Sequence, residues 1–400
     1  MKLLYLCLDP GIPFAGVKGA SVHLRQITAA LAKAGHAVTT VVARLGGRSA
    51  PAVHELPRRT SDFWRAEAAW AAPGLSAEVR SIAENFTLET LLGSLPDAAF
   101  DLVLERYSLL GFAGLAWARE HGIPFVLEAN APLVEEAKAH RVVVLEPLAR
   151  AVESYLFSQA DHVLAVSQAL ADRIRALAPG TPVTVLPNGV DPDLFADHGA
   201  STAVRASLAG PGDFLVGFVG SLKPWHGVGV LLEAFRLLPE SEGFRLAIVG
   251  EGRERGRLER QAASLGLLDR IVFTGAVVHE EVPALLAAMD ALAAPYPEME
   301  DFYFSPLKVF EYMMAARPIV ASGIGQVAGV LRDGDTALLV KPGSPAELAA
   351  ALSRLKTQPQ LGRRLARAAR GEAREKHTWA ARVRSVEPML TSLATRAEVA

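Results

Sequence analysis

Short unbroken apolar runs alternate with amphipathic stretches along nearly the whole chain. Leu3–Leu8, Val38–Ala43, Leu102–Leu104, Phe125–Leu127, Val163–Val166 and Val183–Leu186 are bounded by turn residues. Runs of this kind predict strands covered on both faces, as in parallel sheets. Between the first two, Leu24, Ile27, Leu31 and Ala34 share one helical face, and Gly35 is placed to end that helix. The pattern restarts with Phe214–Val219 and continues through Phe244–Val249, Ile271–Phe273, Ala291–Ala294, Pro318–Ala321 and Ala337–Val340. Helices such as Val228–Leu238 and Pro306–Ala315 lie between these runs. The alternation predicts an α/β protein with two doubly wound parallel sheets.

The segment Pro192–Pro211, with Gly199, Gly210 and short polar residues, reads as the linker. The expected domains are residues 1–195 and 205–375. The helical stretch Trp379–Ala394 has no strand after it, so residues 376–400 are expected to pack back across the domain boundary. Trp64–Leu92 is helix-like but loosely specified, with Trp64 and Trp70 read as core packing or a lid. Two such domains facing a central cleft would both point the carboxyl ends of their strands at it, where ligands of such sheets bind.

Composition narrows the class. Half of the 400 residues are hydrophobic and 21% are charged, which excludes global disorder. A net charge of −2 argues against a nucleic-acid partner. The single cysteine, Cys7, excludes an intrachain disulfide framework and a multi-thiolate metal site. The first residues enter a short apolar run directly, without a signal-peptide pattern, and no stretch reaches the ~18 apolar residues of a transmembrane segment. The expected location is cytoplasmic, either free or peripheral at the inner membrane face.

Chemistry is concentrated at turns that follow strands. The first strand runs into Asp9-Pro10-Gly11 and then Lys18-Gly19-Ala20-Ser21-Val22-His23, which is equally readable as a structural loop or as a ligand-approaching one. Gly220-Ser221-Leu222-Lys223-Pro224-Trp225-His226-Gly227 follows a strand and precedes a helix, and Gly250-Glu251-Gly252 does the same one unit later. Phe302 to Tyr312 opens a helix with Pro306 near its first turn. Lys308 stands at the end of that helix where a cation is disfavoured, a cost that an adjacent anion would offset. Glu311, three residues on, shares its face and could accept from sugar hydroxyls. Elsewhere, His36, Glu135 and Glu136 read as structural or solvated, and Glu105-Arg106-Tyr107 as either a site or an internal ion pair.

Several of these segments, taken in order, make the chain resemble the retaining GT-B glycosyltransferases of family four over essentially its full length. They are Val183-Thr184-Val185-Leu186-Pro187-Asn188-Gly189-Val190-Asp191 with Phe195, then Gly220 to Gly227, then Ile248 to Gly252. Lys308 to Glu311 with Met313 to Ser322, and Asp333-Gly334, complete the set. The Trp225-His226-Gly227 and Ser305-Pro306-Leu307-Lys308 versions look like a subgroup. The resemblance implies the GT-B fold: two Rossmann-like doubly wound domains, the first for an acceptor and the second for a nucleotide sugar. It also implies transfer of a hexosyl or related group from a nucleoside diphosphate sugar to an acceptor hydroxyl, with retention, without a metal and without a further cofactor.

In that reaction Lys223, His226 and Lys308 would stabilise the leaving diphosphate, with Lys223 and Lys308 able to supply the charge of the family's Arg and Lys, and Glu128 or Asn130 could contact the sugar or acceptor hydroxyl. Gly19, Ser221, Gly250, Glu251, Val278, Tyr303, Ser305, Pro306, Leu307 and Glu311 would bind the donor, Glu311 through the ribose. Val277 to Glu280 would meet the base with backbone, and His23 and Arg106 would lie on the acceptor side. The acceptor stays open among glycans, lipid-linked molecules and small natural products. Ser221 and His226 stand where many relatives carry Arg and Lys, and Tyr303 stands where they carry the first of two glutamates. The turn Leu127 to Pro132 lacks the histidine often found there. Those departures keep two other readings in view: an epimerase or hydrolase acting on nucleotide sugars, and a silent nucleotide-sugar-binding protein.

Overall fold

The computed structural model describes residues 1–47, 50–57, 75–94, 100–140, 142–196 and 201–397. They divide into two units, Met1–Pro187 with Arg382–Ala400, and Asn188–Ala381. The first unit holds seven strands: β1 (Lys2–Cys7), β2 (Ala37–Val42), β3 (Val53–Glu55), β4 (Leu102–Arg106), β5 (Phe125–Ala129), β6 (His162–Ala165) and β7 (Val183–Val185). All pair in parallel, in the order β3-β2-β1-β4-β5-β6-β7. Leu3 to Cys7 have no exposed surface, as expected of a strand sandwiched by helices. The strand β3 goes beyond the predicted set, because Val-His-Glu at a sheet edge is half-buried and carries no apolar run.

The second unit holds β8 (Phe214–Val219), β9 (Phe244–Val249), β10 (Ile271–Gly275), β11 (Ala291–Ala294), β12 (Ile319–Ser322) and β13 (Leu338–Val340). These are also parallel, ordered β10-β9-β8-β11-β12-β13. Leu215 and Val219 pack into one apolar cluster while Val216 and Phe218 pack into another, so successive residues of β8 serve opposite faces of the sheet. That double burial is why the run has no polar alternation. Strand order reverses between β8 and β11, and ligands of open α/β sheets bind at the carboxyl ends flanking such a reversal.

Within Pro192–Pro211, Pro192–Phe195 forms a 3-10 turn and Thr202–Leu208 a helix capped by Ser201. Phe195 and Leu208 lie in the core of the second unit. The last helix runs Trp379–Ala397. Leu75–Leu92 is helical, whereas Trp64 and Trp70 lie outside the described residues. Among the described residues no helix is long and apolar enough to cross a membrane.

One buried group gives the first unit a pH signature. Glu105, at the end of β4, is fully buried, and neither carboxyl oxygen has a hydrogen-bond partner among the described residues. A Cβ added to Gly114 would fall 1.8 Å from its Oε2, so the glycine makes the room that the carboxyl fills. Burial pushes the Glu105 carboxyl up to about 8. Because the folded value lies above the unfolded one, stability is full at acid pH and is lost as pH rises through about 8. Glu105→Gln should therefore flatten the alkaline decline in denaturant midpoint, gaining on wild type as pH rises from 5 to 9. Parallel curves for the two proteins would contradict this account of the carboxyl.

Candidate functional site

In the second unit the site is built where the strand order reverses. The last residue of β8, Val219, donates its N–H to the Tyr312 hydroxyl at 2.8 Å, so a side chain from the helix Leu307–Met314 takes over where the ladder stops. Gly220 follows with φ +150° and Gly250, at the end of β9, has φ +140°. A Cβ on Gly250 would lie 2.0 Å from the Gly220 carbonyl oxygen, so the two turns touch backbone to backbone. The Leu222 N–H donates to the Glu251 carbonyl at 3.0 Å and holds that contact in register.

Lys308 enters beside this pair of turns. It lies in the first turn of Leu307–Met314, whose Pro306 N-cap provides no side-chain acceptor. The side chain is buried, and Nζ has no hydrogen-bond partner among the described residues. Its nearest aromatic contact is the Phe218 ring, 4.2 Å from Nζ to the centroid. A Cβ at Gly220 would sit 2.8 Å from Nζ, so only glycine leaves the ammonium its position. Burial lowers the Lys308 ammonium to about 7, with Glu311 acting in the opposite direction.

Glu311 lies one turn further along the same helix and is also buried. The His279 Nε2 stands 2.7 Å from its Oε1. Ser305 is engaged through both its groups: Oγ accepts from the Asn188 N–H at 2.9 Å, and its carbonyl accepts from Asn188 Nδ2. The His226 Nδ1–H donates to the Ser221 carbonyl. Burial, with Lys308 and Lys223 nearby, holds the imidazole well below its ordinary value and therefore neutral.

The rim is aromatic and basic. Trp225 and Phe304 lie almost parallel at 6.3 Å, with Lys223 Nζ 4.6 Å and Arg253 5.7 Å from the Trp225 ring. Tyr303 packs on Phe304 at 4.2 Å. The Glu251 carboxylate is taken by Arg255 at 2.8 Å and by the Gly252 N–H at 3.1 Å, which together hold it below its usual range. Val278 is exposed and immediately precedes His279. Three contributors were not singled out from sequence: His279, Asn188 and Tyr312. All three sit inside segments quoted above, but the side-chain contact of His279 spans 32 residues, which no local spacing signals.

In the first unit the carboxyl ends of β1, β4 and β5 carry a separate buried cluster. Glu128 accepts from the Tyr5 hydroxyl and pairs with His23. Burial would raise the Glu128 carboxyl, but His23, Arg106 and Tyr5 together hold it down at about 2. Arg106 is likewise disfavoured by burial and kept above its usual value by Glu128 and Tyr5. Its Nη1, and Nδ2 of Asn130, have no hydrogen-bond partner among the described residues. Gly19 opens the helix Gly19–Lys33, and its N-cap Lys18 makes no side-chain capping bond. Among the described residues no three His, Cys, Asp or Glu side chains gather as a metal site.

Comparison with known proteins finds two family models. Residues 17–194 match Glycosyltransferase Family 4, and residues 213–358 match Glycosyl transferases group 1. A D-inositol 3-phosphate glycosyltransferase of Actinosynnema mirum is 30% identical over 293 residues, 69% of this chain and 68% of the relative. A 2-deoxystreptamine glucosyltransferase of Streptomyces kanamyceticus is 30% identical over 258 residues, 62% of this chain and 65% of the relative. Among solved structures, sucrose-phosphate synthase from Thermosynechococcus elongatus superposes with a TM-score of 0.78 at 20% identity, covering 99% of this chain and 100% of its own. Anabaena HepE, in complex with UDP and glucose, gives 0.72 at 20% identity, covering 98% and 100%. Those likenesses establish the GT-B fold class for the two parallel-sheet domains.

The depressed Glu128 carboxyl carries its own prediction. A folded value near 2 lies below the unfolded one, so its contribution is present above the ordinary carboxyl range and lost as pH falls toward 2. His23→Leu should destabilise by about 1–3 kcal/mol at pH 7, since it removes a partner from a buried charge. The gap to wild type should narrow between pH 5 and pH 3. A gap independent of pH in denaturant titrations would show that the imidazole does not hold the carboxylate.

Proposed function

The chain belongs to the family 4 glycosyltransferases, and from that premise we propose that it moves a sugar from a nucleoside diphosphate sugar to an acceptor hydroxyl, retaining the anomeric configuration and using no metal. The observation that carries the donor class is the buried Lys308 ammonium, with no hydrogen-bond partner among the described residues, at a helix N-terminus beside two glycine turns. A diphosphate supplies the anion that both the ammonium and the free helical N–H groups favour. HepE, a protein of this fold, has been seen with UDP and glucose, which agrees with such a donor.

As the bond between the anomeric carbon and the diphosphate breaks, negative charge grows on the phosphate oxygens and positive charge on the sugar ring. Lys308, shielded from water, and the exposed Lys223 stabilise the leaving group in place of a metal ion. An incoming diphosphate also shifts Lys308, poised at about 7, toward its charged form. The neutral His226 offers Nε2 as a hydrogen-bond acceptor rather than as a charge, because Nδ1–H is committed to Ser221. Glu311 accepts from the ribose hydroxyls. The acceptor oxygen arrives on the face from which the diphosphate departs, and a phosphate oxygen takes its proton. We assign acceptor binding to the first unit, with Arg106 Nη1 and Asn130 Nδ2 as its buried donors.

Calorimetry with UDP, GDP, ADP and TDP tests the donor assignment. One of them should bind at about micromolar or tighter, and Glu311→Ala should weaken it about tenfold. Turnover with the matching nucleotide sugar should persist in EDTA and give a product of the donor's anomeric configuration by NMR. No binding by any of the four, or an inverted product, would overturn the reading.

A further inference from the structure

His279 and Glu311 come from different elements and meet in a largely buried contact. His279 opens a 3-10 turn, His279–Glu281, that follows β10 and closes with the Glu281 N–H on the Val278 carbonyl at 3.0 Å. The chain then enters the helix Val282–Ala287, whose Val282 and Leu286 are seated in the core. The imidazole is therefore mounted on a short, anchored segment. Opposite it, Glu311 is carried by Leu307–Met314, whose Val309, Phe310 and Met313 are buried in the same core. The side chains of His279 and Glu311 are only 10% and 11% exposed.

A carboxylate only accepts, so the 2.7 Å contact is an Nε2–H donation that occupies Oε1 and leaves Oε2 as an acceptor. We propose that His279 is a positioning residue for nucleotide recognition: it fixes Glu311 so that Oε2 meets the ribose hydroxyls, and it ties the turn Val278–Glu280 to the helix that carries Glu311. The proposal rests on the donor reading above. A carboxylate held in one orientation before the ligand arrives loses less freedom on binding than a rotating one. That advantage belongs to the ribose hydroxyls alone, so the pair acts as a selector for ribose over deoxyribose. Lys308, one turn before Glu311, interacts with the same carboxylate, which places ribose and diphosphate recognition on one helix face.

The test is calorimetry on the full chain with UDP, GDP and ADP and with their 2′-deoxy forms. Wild type should prefer the ribonucleotide of the pair it binds best. His279→Ala should lower affinity for that ribonucleotide roughly tenfold while changing its deoxy form much less, so the preference collapses. His279→Gln, which keeps an N–H at a similar reach, should restore most of it. In a Glu311→Gln background, His279→Ala should change the preference little, because the two act as one unit. Equal losses for both nucleotides, or a full additional loss in the double variant, would mark the contact as a structural tie and overturn the proposal. If the wild type binds a nucleotide without ribose preference, the positioning role fails while the donor reading stands. If it binds no nucleotide, both fall.

Discussion

A buried ammonium with no hydrogen-bond partner among the described residues is the constraint around which the second unit is arranged. Lys308 loses hydration on burial, which lowers its ammonium to about 7, and it stands at the end of a helix that disfavours cations. Apart from Glu311, which favours the charged form, the groups around it accommodate this cost rather than relieve it. Gly220 has no side chain where Nζ lies, Phe218 presents a ring face, and Gly250 allows the neighbouring turn to close on Gly220. Phe218 offers a modest electrostatic attraction, which does not replace lost hydrogen bonds. Glu311 offsets the cost in part, and an anion delivered from solution would offset more of it.

The supporting contacts share one logic, namely that backbone ends at the site are held by side chains from elsewhere in the same unit. Tyr312 takes the last N–H of β8, and Asn188 holds the Ser305 turn by two hydrogen bonds. Rigid mounting of this sort matters because electrostatic stabilisation of a leaving group depends on groups that need not move as charge develops. The first unit handles its charges differently. Glu128 is saturated by Tyr5 and His23 and kept ionised, whereas Glu105 is buried alone and kept protonated. Two buried carboxyls on neighbouring strands are thus set to opposite states, Glu128 by its partners and Glu105 by burial itself.

Much of this was legible in the sequence. Double-faced burial writes itself as unbroken apolar runs, so twelve of the thirteen described strands coincide with short apolar-rich runs, while the edge strand Val53–Glu55 does not. The turns after β8 and β9 were readable because only glycine permits their backbone approach, and Lys308 because a cation in a first helical turn needs a reason. The polar segment Pro192–Pro211 hid a 3-10 turn and a helix, since short elements anchored by Phe195 and Leu208 leave too few apolar positions for a periodicity. His279 was hidden for a different reason. Its side chain acts through a contact across 32 residues, set by how β10 and the helix Leu307–Met314 pack, whereas the segment Val277–Glu280 was read only for its backbone. The neutral state of His226 was equally invisible, because it follows from burial and from a lysine 82 positions away.

The central claim is that Lys308 is kept at a cost to the free protein for the sake of an anionic ligand. It is tested most directly by thermal unfolding of Lys308→Met beside wild type, at pH 6 and pH 9, with and without the nucleoside diphosphate that wild type binds best. The folded ammonium titrates near 7, below its unfolded value, so the cost is greatest at acid pH and fades as pH rises. The account predicts that the methionine variant melts higher than wild type without nucleotide, by more at pH 6 than at pH 9, and that nucleotide raises the melting temperature of wild type far more than that of the variant. A variant that melts lower at pH 6 without nucleotide, or that nucleotide stabilises as much as wild type, would contradict it.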